Sequence, residues 1–112
     1  MHELTVAGNI INIVTTAAVE AGVDRVHEVC LEIGLLAGVE YDSLDFALTA
    51  LTPGTVMETA SITIEKPGGA AKCLSCGNEF LFESFMGYCE VCKSVDLKII
   101  KGGELRVKSI SI

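Results

Sequence analysis

Four cysteines carry the clearest chemistry in the sequence. Cys73-Leu74-Ser75-Cys76-Gly77 and Cys89-Glu90-Val91-Cys92-Lys93 are two CxxC pairs with twelve residues between them. In each pair a tight turn brings two thiolates to one metal ion, and two such turns complete a tetrahedron. A closed set of four thiolates leaves no open coordination position, so the expected ion is a structural zinc that contributes folding free energy to its segment. Iron in a rubredoxin-like site is the competing metal, because four thiolates accept either ion. The competing chemistry is redox-active or disulfide-forming cysteine. A redox CxxC of the thioredoxin type, however, normally opens a helix in a βαβ setting. Gly77 stands where a knuckle needs positive φ, and Phe80, Leu81, Phe82, Phe85 and Tyr88 lie between the pairs, where they could shield the ion. Cys30 lies far from the knuckles in sequence and reads as a small hydrophobe in a strand.

The second constellation is the start of the chain, Met1-His2-Glu3. The α-amine of Met1, the amide nitrogen of His2 and its Nδ1 close a five- and a six-membered chelate ring around one ion. Nickel(II) accepts such nitrogen sets in square-planar or, with more ligands, octahedral form. The amine titrates at about 8 and so releases its proton near neutral pH. Glu3 adds an oxygen or nitrogen donor, and Glu40 a further carboxylate. A single histidine at a chain end is as readily a solvated residue, so spacing by itself does not decide the role of His2. His27 starts on the apolar face of a strand and reads as a packed or edge residue.

These residues need elements to hold them. Leu4, Ala7, Ile11, Val14, Ala18 and Ala21 recur at three- and four-residue steps, which predicts a helix over residues 3–21 with Gly22 as its stop. Alternation over 25–33 predicts a strand with His27, Val29, Leu31 and Ile33 on its buried face. A second helix follows with Asp42 as its cap and Leu44, Ala47, Leu48 and Leu51 as its stripe, ended by Pro53-Gly54. Residues 60–65 and 104–112 read as further strands, the last with a phase slip near Lys108-Ser109 that a bulge reconciles. The order predicts an α+β fold: a small three-stranded sheet with two helices on one face, and an inserted zinc-ribbon-like module. Pro67-Gly68-Gly69 reads as a linker. The expected division is a nickel-binding α+β domain over 1–70 and 98–112, and a zinc-binding domain over 71–97.

Composition bounds what such a protein does. The chain has 112 residues, half of them hydrophobic but only 5% aromatic, so its core must be mainly aliphatic. A net charge of -7 with eight Lys plus Arg and no basic run argues against nucleic acid as a partner. The N-terminus lacks a basic region followed by an apolar run. No stretch approaches the roughly 18–20 apolar residues of a membrane span. A cytoplasmic protein without membrane contact is therefore expected, and in a reducing compartment paired cysteines favour metal over disulfides.

Taken together the residues resemble a known family. The opening Met1-His2-Glu3-Leu4, a strand ending Leu31-Glu32-Ile33-Gly34, then Gly38-Val39-Glu40 before a second helix, the two CxxC pairs and the closing Gly103-Glu104-Leu105-Arg106-Val107 resemble the HypA/HybF family. That family comprises nickel-insertion accessory proteins for [NiFe]-hydrogenase maturation, and the resemblance covers essentially the whole chain. It implies that His2 is the nickel ligand, that Glu3 tunes or assists binding, and that Glu40 is the acidic position of some members' nickel site. It also implies that Cys73, Cys76, Cys89 and Cys92 hold structural Zn(2+). The implied activity is not enzymatic: a metallochaperone carries Ni(2+) as transient cargo. The implied partners are a nickel-handling GTPase, HypB, and the hydrogenase large subunit. Urease is a further client in some members, and a homodimer is left open. Two features depart from the pattern. The second knuckle reads Cys89-Glu90-Val91-Cys92-Lys93 where many members have Cys-Pro-x-Cys-Gly, and no histidines flank the knuckles, so ligand exchange at the zinc is not expected. The alternative function is a zinc-ribbon adaptor that binds protein without delivering nickel.

Overall fold

In the computed structural model, which describes residues 2–82 and 87–112, the elements run α1 (Glu3–Ala21), β1 (Glu28–Ile33), α2 (Tyr41–Leu51), β2 (Ser61–Glu65), β3 (Gly69–Cys73), β4 (Glu79–Phe82), β5 (Leu97–Lys101) and β6 (Leu105–Ser111). They form an α+β protein of two compact units. One comprises Met1–Glu32, Val39–Glu65 and Arg106–Ile112, the other Ile33–Gly38 and Lys66–Leu105.

The first unit holds both helices. Helix α1 buries Val6, Ala7, Ile10, Val14 and Ala18. The stripe is turned by about one residue from the one the spacing predicts: Leu4 and Ala21 are exposed and Ile11 only half-buried. Gly22 ends the helix in the left-handed region at φ 71, its amide donating to the carbonyls of Ala18 and Val19. By length and composition alone α1 could cross a membrane, which corrects the expectation that no stretch comes near a span. Its buried stripe gives that apolarity a use in the core. Helix α2 packs on α1 and buries Leu44, Ala47 and Leu48. Its cap is not Asp42 but Glu40, whose carboxylate accepts the Asp42 amide at 3.1 Å. Asp42 lies instead in the first turn.

The first sheet has the order β2-β1-β6. Strands β1 and β2 are parallel, Glu28 facing Ser61 and Glu32 facing Glu65, and α2 supplies the crossover that parallel pairing requires. Strand β6 runs antiparallel to β1. Arg106 Nε donates to Glu32 at 2.7 Å near one end, and the His27 amide donates to the Ser111 carbonyl at 2.8 Å at the other. Val29, Leu31 and Ile33 are buried, whereas His27 stands just before the strand and is exposed. Val107 and Ile110, three residues apart, are both half-buried, as the phase slip between them implies.

The sequence predicts one sheet, but the structure contains a second, β4-β3-β5, antiparallel throughout. Its strands are short, and Gly69-Ala70-Ala71 carries little of the β-branched or aromatic signal that marks a strand. Because β3 and β5 belong with the cysteines, the second unit is wider than the segment 71–97. Pro67-Gly68-Gly69 is not a free linker either. Within this unit the amides of Gly34, Leu35 and Leu36 donate to the carbonyls of Glu104, Pro67 and Gly102 at 2.8, 3.0 and 2.8 Å. Among the described residues the apolar core here is small: Ile33, Leu36, Ala70 and Ala71, with Cys73 and Cys89.

Candidate metal centres

The two knuckles are near copies of one backbone device. The Cys73 amide donates to the Asn78 carbonyl and the Cys89 amide to the Ser94 carbonyl, both at 2.8 Å. The Gly77 and Lys93 amides return to the carbonyls of Cys73 and Cys89, again at 2.8 Å. Each turn closes through positive φ, at 79 for Gly77 and 63 for Lys93. A lysine in that region is strained by about 1 kcal/mol or more. Its ammonium lies 5.3 Å from the centroid of the Tyr88 ring, a cation–π distance that offsets part of the strain.

This backbone converges four sulfurs. Sγ atoms of Cys73, Cys76, Cys89 and Cys92 all lie within 4.8 Å of one another. Cys73 and Cys92 are 3.5 Å apart and Cys76 and Cys89 3.8 Å. A tetrahedron with metal–sulfur bonds of about 2.3 Å separates its sulfurs by about 3.8 Å, so the residues fit a single four-thiolate metal site. Cys73 and Cys89 are buried, and Cys76 and Cys92 face outward. Cys30 is not part of the cluster. It is half-buried on β1, with its thiol 4.0 Å from the Leu31 carbonyl.

The electrostatics explain why a cation belongs there. The Cys76 amide draws the Cys73 thiol below its ordinary value, and the Cys92 amide draws Cys89 down to about 6. At Cys76 the Asn78 amide also favours the thiolate, but desolvation and the neighbouring sulfurs outweigh it and push the thiol up to about 12. Cys92 moves upward too: the Ser94 amide lowers it, and the Cys73 sulfur and desolvation more than reverse that. Two sulfurs ionise readily and two resist, because four negative charges cannot share this volume unaided. A divalent ion removes the conflict.

Sequence spacing does not reveal the supports of this site. Ser75 Oγ and Ser94 Oγ, one from each knuckle, meet at 2.8 Å, and Asn78 Nδ2 lies 3.9 Å from Cys89 Sγ. The expected aromatic shield is only partly present. Phe80 is half-buried, but Leu81 and Tyr88 are exposed, and Phe85 lies outside the described residues. Leu81 faces away because it pairs with Ala70, on the opposite face from Cys73.

The second candidate site is built where the two helices begin. His2 occupies the N-cap position of α1 but makes no side-chain cap bond, so its imidazole remains available, exposed to solvent. Glu3 opens the helix, where a negative charge suits the dipole. Its Oε2 accepts the backbone amide of Glu40 at 3.3 Å, which ties the start of α1 to the start of α2. The fold therefore brings the Glu40 backbone to the Glu3 side chain, beside His2 in sequence, from a position 37 residues away. Beside them runs an open groove of about 460 Å³ lined by His2, Glu3, Leu4, Asp42, Ser43, Phe46 and Ala47. Asp42, which the sequence pattern offers only as a helix cap, thus adds a carboxylate to the groove. Met1, whose amine belongs to the expected chelate, lies outside the described residues.

Comparison with known proteins shows the family. A family model described as "Hydrogenase/urease nickel incorporation, metallochaperone, hypA" matches residues 1–112. A "Hydrogenase maturation factor HypA" of Chlorobaculum tepidum is 39% identical over 112 residues, covering 100% of this chain and 99% of the relative. One of Parabacteroides distasonis is 41% identical over 112 residues, covering 100% and 97%. The fold matches the solution structure of the Ni metallochaperone HypA from Helicobacter pylori at a TM-score of 0.72 and 23% identity, over 100% of this chain and 97% of that one. With a family match along its whole length and a four-cysteine metal site, the chain belongs to the HypA family of hydrogenase/urease nickel-incorporation metallochaperones.

Proposed function

We propose that this protein carries Ni(II) and hands it over during maturation of [NiFe]-hydrogenase, with His2 as the principal ligand. Glu3 assists and Glu40 supplies a carboxylate at the same place. The observation that supports the reading is the hydrogen bond from the Glu40 amide to the Glu3 carboxylate at 3.3 Å, which ties the start of α2 to the residue after His2, whose imidazole makes no cap bond. In a chain that starts at Met1, the terminal amine joins the set. The exposed position of His2 suits a cargo ion that must leave again. The recipients are the hydrogenase large subunit and, as the family description extends to urease, urease as a further client. The GTPase HypB is the partner in nickel handling, and the setting is the cytoplasm. The chain performs no chemical turnover in this role.

Zn(2+) is the ion we assign to Cys73, Cys76, Cys89 and Cys92. Their sulfur spacing suits its bond length, and a closed thiolate set makes the ion structural rather than reactive. The adaptor alternative, a zinc-ribbon protein without nickel delivery, is separated by one experiment. Zinc-loaded protein beginning at Met1 is titrated with Ni(II) by calorimetry beside His2→Ala. Uptake that falls at least tenfold in affinity in the variant, at unchanged zinc content, is the expected result. Equal uptake by both proteins, or none by either, leaves the adaptor reading.

A further inference from the structure

The cations of this chain are unevenly placed. In the helix-bearing unit every one is paired: Arg25 with Glu58 at 3.1 Å, Arg106 with Glu32 at 2.7 Å and Lys108 with Glu65 at 2.7 Å. The cysteine unit holds the remaining Lys66, Lys72, Lys93, Lys98 and Lys101. Among the described residues Lys72, Lys98 and Lys101 make no ion pair.

Strand register brings these three together. Lys72 on the central strand β3 faces Lys98 on β5 and Glu79 on β4. In the neighbouring row Ala70 faces Lys101 and Leu81. Directly opposed residues share a face of the sheet. Lys72, Lys98, Glu79 and Leu81 therefore lie on one face, and Ala71 and Cys73 on the other; Lys101 stands three residues after Lys98 on β5, and a register shift between Ala70 and Ala71 brings it opposite Ala70 on the lysine face. All five residues of the lysine face are exposed, Leu81 to 76%. Like charges directly opposite one another disfavour strand pairing, so the Lys72–Lys98 pair works against the sheet that contains it. Glu79, at the margin, balances one cation of the three.

We propose that this face is a docking surface for an acidic protein partner, whose carboxylates bridge Lys72, Lys98 and Lys101 while an apolar side chain rests on Leu81. The argument is charge complementarity: three unpaired cations are concentrated on one face of a chain whose net charge is -7, and carboxylates laid between them relieve their repulsion. A protein fits better than nucleic acid. Among the described residues the face offers a leucine and no aromatic ring for base stacking, and the acidic remainder of the chain repels a polyphosphate. The proposal does not depend on the nickel reading.

The test uses the full-length, metal-loaded protein and fluorescence anisotropy. The probes are a short labelled peptide of glutamate and aspartate with a central leucine, and a labelled oligothymidine of similar length. We expect the peptide to bind, and its affinity to fall about tenfold in Lys72→Gln/Lys98→Gln and with added salt. Leu81→Ser should weaken it severalfold, and Arg25→Gln, in the helix-bearing unit, should leave it unchanged. An independent readout is stability: Lys98→Glu, which sets an opposite charge across from Lys72, should raise the melting temperature. The proposal is overturned if wild type does not bind the peptide, if the double variant binds it equally, or if the oligonucleotide binds more tightly.

Discussion

Removing the ion from the four cysteines should unfold one unit and spare the other. Among the described residues the cysteine unit buries few large apolar side chains. Ile33, Leu36, Ala70 and Ala71 form its buried core with the cysteines themselves. At about 1.5–3 kcal/mol for each large aliphatic side chain and less for each alanine, that core contributes on the order of 5 kcal/mol. A structural zinc in a small module contributes about 10–16 kcal/mol at neutral pH, more than the whole apolar core. The helix-bearing unit buries Val14, Val29, Leu31, Leu44, Leu48 and Met57 to 1% exposure or less and contains none of the ligands. Chelation should therefore collapse the amide dispersion of Ala70–Cys73 and Leu97–Lys101 in an NMR spectrum. The helical circular dichroism, which arises from α1 and α2, should persist. Cys89→Ser should reproduce the pattern. If β3 and β5 kept their dispersed amides after complete metal removal, the metal would not be what holds this unit together.

Two further expectations follow from single residues. Glu40→Asn keeps a good N-cap while removing the charge, whereas Glu40→Ala removes the cap and should cost about 1 kcal/mol of stability in thermal unfolding. If Glu40 is a nickel donor, both variants weaken Ni(II) uptake in calorimetry; retained affinity in Glu40→Asn would assign Glu40 to capping alone. The second concerns pH. The Cys92 amide holds the Cys89 thiol down at about 6, and a thiol whose folded value is depressed contributes in full above its unfolded value and loses that contribution as pH falls through the folded one. Bound metal depresses it further, so a colorimetric zinc assay should detect release only below about pH 6. Release already at neutral pH would show that Cys76 and Cys92, whose thiols are pushed up, set the limit rather than Cys89.

What the sequence made legible follows from how local each signal is. Helix α1 and its glycine stop, β1, β2 and the cysteine pairs each announce themselves within a short window. The pattern puts the cap of α2 at Asp42, a residue type preferred there, whereas Glu40 is not one, and only the geometry of the turn selects Glu40. The second sheet escaped notice because its central strand is Gly69-Ala70-Ala71-Lys72-Cys73. That strand pairs on both sides and needs no apolar alternation of its own. The lysine face was invisible for the same reason: Lys72, Lys98 and Lys101 become neighbours through register alone. Likewise the approach of Glu3 to Glu40 is a tertiary fact, and the sequence supplied only the residue types.

The four-cysteine site and the nickel site we propose differ in how their hydrogen bonds relate to ligation. At the knuckles, backbone amides of Cys76 and Cys92 donate to the sulfurs of Cys73 and Cys89. A thiolate bound to a metal retains lone pairs, so these bonds persist in the loaded state and favour the ionised ligand that the metal needs. At the helix starts the relation is reversed. The Glu3 carboxylate is engaged by the Glu40 amide and the Glu40 carboxylate by the Asp42 amide, and the second of these bonds is the cap of α2. A cation that displaces either amide, rather than binding the second oxygen of the carboxylate, competes with a bond worth about 1 kcal/mol, which weakens its hold roughly fivefold. Cooperation suits an ion that stays with the fold, and competition suits the cargo we propose, which must be given up. The same contrast predicts the order of loss: a chelator of moderate strength should strip nickel from the helix starts while the four cysteines keep their ion.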